Sequence, residues 1–279
     1  MVRAYTREEV LGRLEKTIQS KKPIVCAGAS TGIIGVGLER GGCDLIIIFN
    51  SGRFRRAGLG SLAAFMPYGD ANTTVMDLSR EIIPMVKETP VIAAVCASDP
   101  FRVKTKLVKE LQELGFSGTQ NFPSVGVIDG VYRSLLEETG MGYDKEVEWI
   151  KTAHDMGMFT GPVFAFSVDE AERMVRAGAD VLVAHMGLTT KGLVGPKTAL
   201  TLPQAAKRTQ DIVDKAKQIN PDVILLSHGG PIAEIDDFKY ILQNTKGLHG
   251  FVGATTFERL PIEKAIPETV REFKAATLG

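Results

Sequence analysis

Long apolar runs are missing from this sequence: stretches such as 45–49 fall far short of the roughly 20 residues that a membrane-spanning helix needs. No membrane partner is therefore expected. Charge of one sign is also missing. Lys+Arg and Asp+Glu both stand at 33, so no strongly basic field attracts nucleic acid. Cysteine is scarce, and Cys26, Cys43 and Cys96 form no CxxC pair and no metal-ligand spacing. An odd set of this kind gives no disulfide framework and suits a reducing compartment, so a cytoplasmic location is expected. The N-terminal stretch carries Arg7, Glu8 and Glu9 without an apolar core, and a signal peptide is not expected. HExxH, GxSxG and P-loop motifs are absent. Gly28-Ala29-Ser30-Thr31-Gly32 departs from GxGxxG, which leaves no support for a nucleotide cofactor.

What the sequence does contain is an alternation. Eight short apolar runs occur at 24–27, 45–49, 91–95, 116–121, 163–166, 181–185, 223–227 and 250–253. Continuous apolar runs suit a parallel sheet covered by helices on its outer face. Between and after them lie amphipathic segments at 31–40, 74–87, 101–114, 145–156, 168–177, 203–218, 235–243 and 261–275. The expected fold is α/β, a single (β/α)8 TIM barrel over residues 1–279, with an extra N-terminal helix at 6–20 closing its bottom. An open doubly wound sheet is the alternative. Two connections, 50–73 and 122–144, are long enough to carry function.

In a barrel the chemistry sits where strands end, so those positions are the candidates. His185 and His228 end the sixth and seventh runs and could exchange protons near neutral pH; a hydrogen-bonded structural histidine is the plainer reading of each. His154 and His249 read as structural. Asp99 follows the third run and serves as general base or Mg2+ ligand, or else caps the helix starting at 101. Gly229, Gly230, Gly253, Ala254 and Thr255 could offer backbone amides to an anion, or simply form tight turns. Among Arg53, Arg55 and Arg56, Arg53 lies nearest the strand and is the better anion ligand; the other two read equally as a solvated cluster or subunit contact. Asn50, Gln120 and Asn121 would contact substrate or position water. Cys96 reads as a small core residue. A Schiff-base lysine is not expected, because the sixth run ends in His185 and Lys191 and Lys197 lie well into the loop.

Six stretches carry a resemblance. Asn50-Ser51-Gly52-Arg53, Met66-Pro67-Tyr68-Gly69-Asp70-Ala71-Asn72, Gln120-Asn121-Phe122-Pro123-Ser124-Val125-Gly126, Glu137-Glu138-Thr139-Gly140-Met141-Gly142-Tyr143, Ala184-His185-Met186-Gly187-Leu188-Thr189-Thr190 and Ser227-His228-Gly229-Gly230-Pro231 resemble the signatures of the phosphoenolpyruvate hydrolase-like TIM-barrel family. That family is also described as a predicted signal-transduction barrel and is similar to the C-terminal half of a tomato mosaic virus resistance protein. The resemblance implies hydrolysis of phosphoenolpyruvate or phosphonopyruvate, by analogy with the isocitrate lyase and phosphoenolpyruvate mutase superfamily. It also implies Mg2+ held by acidic residues at strand ends. Only Asp99 offers itself here, since the second and fourth runs end in Asn50 and in Gln120-Asn121.

The resulting expectation is an enzyme acting on a small anionic substrate, a phospho- or phosphono-enolpyruvate-like or keto acid, by hydrolase or lyase chemistry. His185, His228 and Asp99 would be catalytic. A ligand-sensing or protein-binding barrel without turnover is the alternative, and an enzyme working on a carbon–carbon bond of an acyl ketone is a third reading. A homo-oligomer is expected from the apolar Leu59, Leu62, Phe65 and Met66 in the first long connection, unless that segment folds over its own barrel mouth.

Overall fold

The computed structural model describes residues 4–278; the outermost positions of the expected domain span, 1–3 and 279, lie outside them. The strands are β1 (Ile24–Gly28), β2 (Leu45–Ile48), β3 (Val91–Val95), β4 (Gly118–Asn121), β5 (Phe159–Thr160), β6 (Val163–Ala165), β7 (Val181–His185), β8 (Ile224–His228) and β9 (Gly250–Gly253). All pairings are parallel, in the order β5-β4-β3-β2-β1-β9-β8-β7-β6. This is the expected TIM barrel, with one difference: its fifth strand is split.

Along each strand, alternate side chains point to the lumen and to the helix layer. Leu45 and Ile47 join Ile24, Cys26, Phe164, Val183 and Leu226 inside the barrel, while Ile46 and Ile48 pack outward with Val95, Leu182 and Leu225. Both sides are apolar, which is why the strands read as unbroken runs and not as alternating ones.

The split falls at Gly161-Pro162. Proline has no N–H for the ladder, and β5 pairs only with β4 while β6 pairs only with β7. Asn121 supplies the missing bonds. Its Oδ1 accepts the Phe164 N–H at 2.7 Å and its Nδ2 donates to the Phe164 carbonyl at 3.0 Å, so a side chain at the end of β4 takes the place of a backbone partner. The same Nδ2 donates to Glu146 at 2.6 Å. Asn121 therefore faces outward and does not reach the mouth, contrary to its expected role as a substrate ligand. Strand pleat is the reason: Thr119, two residues earlier, also points out and accepts from Trp149 Nε1.

The helices are α1 (Arg7–Gln19), α2 (Gly32–Arg40), α3 (Asn50–Arg55), α4 (Ala71–Ile82), α5 (Lys104–Glu113), α6 (Gly130–Glu138), α7 (Asp144–Asp155), α8 (Val168–Arg176), α9 (Leu202–Ile219), α10 (Ile235–Asn244) and α11 (Thr255–Lys274). α1 closes the bottom as expected. Thr6 and Glu9 form a capping box, Val10 and Leu14 plug the lumen, and Arg7 reaches both oxygens of Asp180 at the foot of β7. The long connections hold helices that the sequence pattern did not show, namely α3 and α6. α5 begins later than expected and has Val103 at its N-cap, so Asp99 is not the cap. α11 begins six residues before Pro261, the proline that reads as a helix start. Its first turn is buried at the barrel mouth, and packing there overrides the local signal. Beyond Leu260 the helix leaves the barrel wall, and Ile262, Ile266, Val270 and Phe273 are exposed.

Removing the Asn121 amide leaves the Phe164 N–H and carbonyl without this partner in a dry interior. Asn121→Ala is expected to lower unfolding free energy by roughly 3 kcal/mol or more, read from urea denaturation. An unchanged midpoint would mean that the amide does not close the ring.

Candidate active site

β7 and β8 run side by side with His185 opposite His228. Both have the inward parity of Val183 and Leu226, so both rings stand over the lumen at its C-terminal mouth. Their centroids are 4.5 Å apart with ring planes at 73°. Phe164 stacks parallel on His228 at 5.4 Å and meets His185 edge-on at 4.7 Å. Phe166 covers His185 at 4.3 Å.

Backbone partners set opposite tautomers. The Gly187 N–H donates to His185 Nδ1 at 3.0 Å, so that nitrogen carries a lone pair and the ring proton sits on Nε2. His228 Nδ1 lies 2.6 Å from the Val252 carbonyl, which can only accept, so the proton sits on Nδ1 and Nε2 carries the lone pair. Burial pushes His185 well below the usual histidine value, with the neighbouring His228 and Arg208 adding to the effect. Burial also lowers His228, to about 4; the Val252 bond partly opposes this and the Arg55 charge reinforces it. Two neutral imidazoles thus adjoin each other, one offering an N–H and the other a lone pair.

Arg55 is the cation of the mouth. It is buried on the last turn of α3; its Nε donates to the Glu258 carboxylate and its Nη1 donates to Ser51 Oγ at 2.6 Å and Ser61 Oγ at 3.3 Å. Among the described residues Nη2 has no partner, and neither does Glu258 Oε1. Arg53, the expected anion ligand, is exposed. The reason is local: residues 50–55 are helical, and positions two apart on a helix face nearly opposite ways. Arg56 turns to the Ser30 carbonyl and Glu81.

The mouth encloses a cavity of about 30 Å³ among Arg55, His185, His228, Ser51, Thr189 and Thr255, over an aromatic floor of Phe49, Phe122 and Phe164. That is room for roughly two waters. Through Ser61, Leu188, Thr189 and Thr255 it adjoins an outer cleft of about 170 Å³. Ala254 and Thr255 line the inner cavity. The glycines have another role. At Gly229 (φ +78°) and Gly230 (φ +57°) an added Cβ would fall 2.1 and 2.4 Å from the Gly187 and Met186 carbonyls, and the Gly230 N–H donates to Gly187. They allow two loops to touch, which removes the Gly230 amide from the expected anion site. Gly253 makes room for the Phe257 ring.

Asn50 is buried with Nδ2 on the Ala64 carbonyl, and its Oδ1 is unpartnered. Gln120 is fully buried with inward parity, and neither of its amide atoms has a partner among the described residues. Glu146, which no sequence pattern marks, is a buried carboxyl pushed up to about 8 by desolvation, against the donors on Asn121, Ser124 and Val125.

Asp99 is not part of this constellation. It lines a separate, wider cleft of about 450 Å³ with Cys96, Ser98 and Asp70. Its oxygens accept from Asn72 Nδ2 at 3.0 Å and from the Phe101 N–H at 2.9 Å. Of the three residues expected to act together, His185 and His228 adjoin and Asp99 instead closes a turn before α5. Among the described residues no three His, Cys, Asp or Glu side chains converge on one point, and the carboxylate at the mouth, Glu258, is held by Arg55, so the mouth offers no all-protein cage for Mg2+. Cys96, half-buried, has its thiol pushed up by desolvation, as a small packing residue would.

The neutral histidines carry a cost at low pH. In the unfolded chain His228 titrates near 6.5 and in the folded chain near 4, so protons favour unfolding. Its contribution is complete above pH 6.5 and is lost as pH falls towards 4. Between pH 7 and 4.5 this one residue is expected to remove roughly 2–3 kcal/mol, measured by urea unfolding. His228→Gln should flatten that part of the decline; an equally steep decline would contradict the assignment.

Comparisons place these features in context. The chain is 52% identical over 269 residues to the tomato (Solanum lycopersicum) ToMV susceptible protein tm-1(GCR26), covering 96% of this chain and 36% of that protein. It therefore spans about a third of that relative's length. It overlays on oxaloacetate acetylhydrolase with a TM-score of 0.62 at 15% identity, covering 99% of this chain and 89% of that one. A phosphonopyruvate hydrolase complex with oxalate and Mg2+ gives 0.58 at 15%, covering 95% and 87%. At such identity these two likenesses speak for the barrel fold alone. A family model matches residues 9–276, and on that match the chain belongs to the phosphoenolpyruvate hydrolase-like family.

Proposed function

We propose that this barrel is an enzyme that cleaves a small keto or enol acid by hydrolase or lyase chemistry at its C-terminal mouth. The observation that carries the reading is the pair of neutral histidines in opposite tautomers on one cavity wall. His185 Nε2–H is placed to donate to a carbonyl oxygen as negative charge develops on it. His228 Nε2 is placed to take a proton from water as the water oxygen adds to the carbonyl carbon. The bond to the leaving atom then breaks with its electron pair, and the proton returns from His228 to that atom. Arg55 would hold the substrate carboxylate through its unpartnered Nη2, which is buried in this structure and is reached only as the mouth opens. The inner cavity admits a substrate only with movement of the β7–α9 loop around Leu188 and Thr189.

A sensing barrel without turnover would need the anion ligand but not the matched tautomers, so the same experiment separates the two readings. Small keto, phospho and phosphono acids, with and without Mg2+, are screened by thermal shift, and each stabilising compound is followed by NMR for product. For the converted compound, His185→Ala and His228→Ala are each expected to lower turnover by roughly 100-fold or more while the thermal shift persists. Arg55→Lys should raise KM about tenfold by losing the planar fork. Ligand that stabilises the wild type but is left intact would favour the sensing reading.

The same barrel is proposed to self-associate through α11. Its exposed Ile262, Ile266, Val270 and Phe273 recur at helical spacing, forming one apolar stripe on a helix that has left its own barrel wall. A second copy buries two such stripes at once. Sedimentation should find a dimer or larger at micromolar concentration; a monomer would end this part of the proposal.

A further inference from the structure

We infer that the substrate carries one carboxylate and an uncharged apolar acyl group: a 2,4-dioxo acid cut between the acyl carbon and the adjacent methylene. This rests on the hydrolytic reading of the His185–His228 site and adds the substrate class.

The first argument is charge. Among the described residues, the walls of the inner cavity and the adjoining cleft hold two cations, Arg55 and Arg259. Arg55 keeps one nitrogen without a partner. Arg259 is engaged, with Nη1 on Glu263 and Nη2 on the Lys191 carbonyl at 3.0 Å. Glu258 already balances the Arg55 charge, so what Arg55 offers is one unpartnered donor nitrogen, enough for a single carboxylate. A phosphonate dianion or a second carboxylate would lie beside apolar walls with no such donor, and burying an unpaired charge is strongly unfavourable.

The second argument is shape. The cation and the imidazoles share the inner cavity of about 30 Å³. The cleft of about 170 Å³ beyond it is walled by Leu62, Leu188, Val194 and Pro196. A substrate anchored by its carboxylate at Arg55 and polarised at the histidines has its far end in that cleft, and apolar walls select an alkyl chain.

The third is the reaction that these groups balance. Water adds to the acyl carbonyl carbon, whose oxygen is held by His185 Nε2–H, as its proton passes to His228 Nε2. The carbon–carbon bond breaks, and its electron pair forms the enolate of the fragment held at Arg55. His228 returns the proton to that carbon. The products are one carboxylic acid and pyruvate, and no oxidant, reductant or second substrate is needed.

The test follows products by NMR: pyruvate from acetylpyruvate, butanoylpyruvate, hexanoylpyruvate and phosphonopyruvate, and oxalate with acetate from oxaloacetate, whose spontaneous decarboxylation to pyruvate is subtracted. kcat/KM is expected to rise about fourfold per added methylene until the cleft is full, and to exceed that for oxaloacetate and phosphonopyruvate. Faster cleavage of either dianion would overturn this substrate class while leaving the keto-acid reading intact. No cleavage of any of the five would overturn both. Val194→Arg, at an exposed loop position, is expected to invert the order, slowing hexanoylpyruvate at least about tenfold relative to oxaloacetate. An unchanged order would show that the acyl chain does not lie in this cleft.

Discussion

The side chain of Asn121 completes a seam that the backbone closes only at its foot, where the Thr160 carbonyl accepts the Asp180 N–H at 2.8 Å. Proline at 162 interrupts the fifth strand, and without a bridge the upper end of β4, beyond its pairing with β5, would face β6 with no ladder bonds between them. The Asn121 amide binds both polar groups of Phe164 and so fixes that residue at the seam. The Phe164 ring in turn lies flat on His228 and edge-on to His185. Barrel closure and the orientation of the two imidazoles therefore share one residue. The buried Glu146 and Tyr143, which bond to Asn121 and to the Phe164 carbonyl, hold the same seam from the helix side.

Electrostatics at the mouth follow from what surrounds that seam. Aromatic rings remove water from the histidines, and desolvation keeps both neutral. Neutrality makes their tautomers matter, because each ring then has one donor and one acceptor, and a single backbone contact decides which faces the cavity. Arg55 and Glu258 bring a buried ion pair whose charges largely cancel, yet each retains an atom without a partner. Such a pair gains little stability from burial itself. An anion at the unpartnered guanidinium nitrogen would satisfy that donor, leaving Glu258 Oε1 to a water or a hydroxyl.

How much of this was legible depended on whether the deciding partner was local. The strands were readable because both faces of each are buried, and His185 and His228 fell at strand ends where parity alone puts them at the mouth. Arg55 was not readable against Arg53, because the choice turns on a six-residue helix inside a connection with no periodic signal. The role of Asn121 depends on a strand break forty residues downstream. Pro261 marked a helix start by local rules, but the true start, with Thr255 and Glu258 in its first turns, is fixed by burial at the mouth. Asp99 looked like a barrel carboxylate; the amide of Asn72, from a different connection, turns it away.

The central claim is that two neighbouring histidines are neutral and hold opposite tautomers. Long-range 1H–15N NMR of the imidazole nitrogens at pH 7 tests it directly, with His185→Gln and His228→Gln variants to assign the rings. The account expects His185 protonated on Nε2 and His228 protonated on Nδ1, with neither ring an imidazolium. Two rings in the same tautomer, or either one charged, would contradict it.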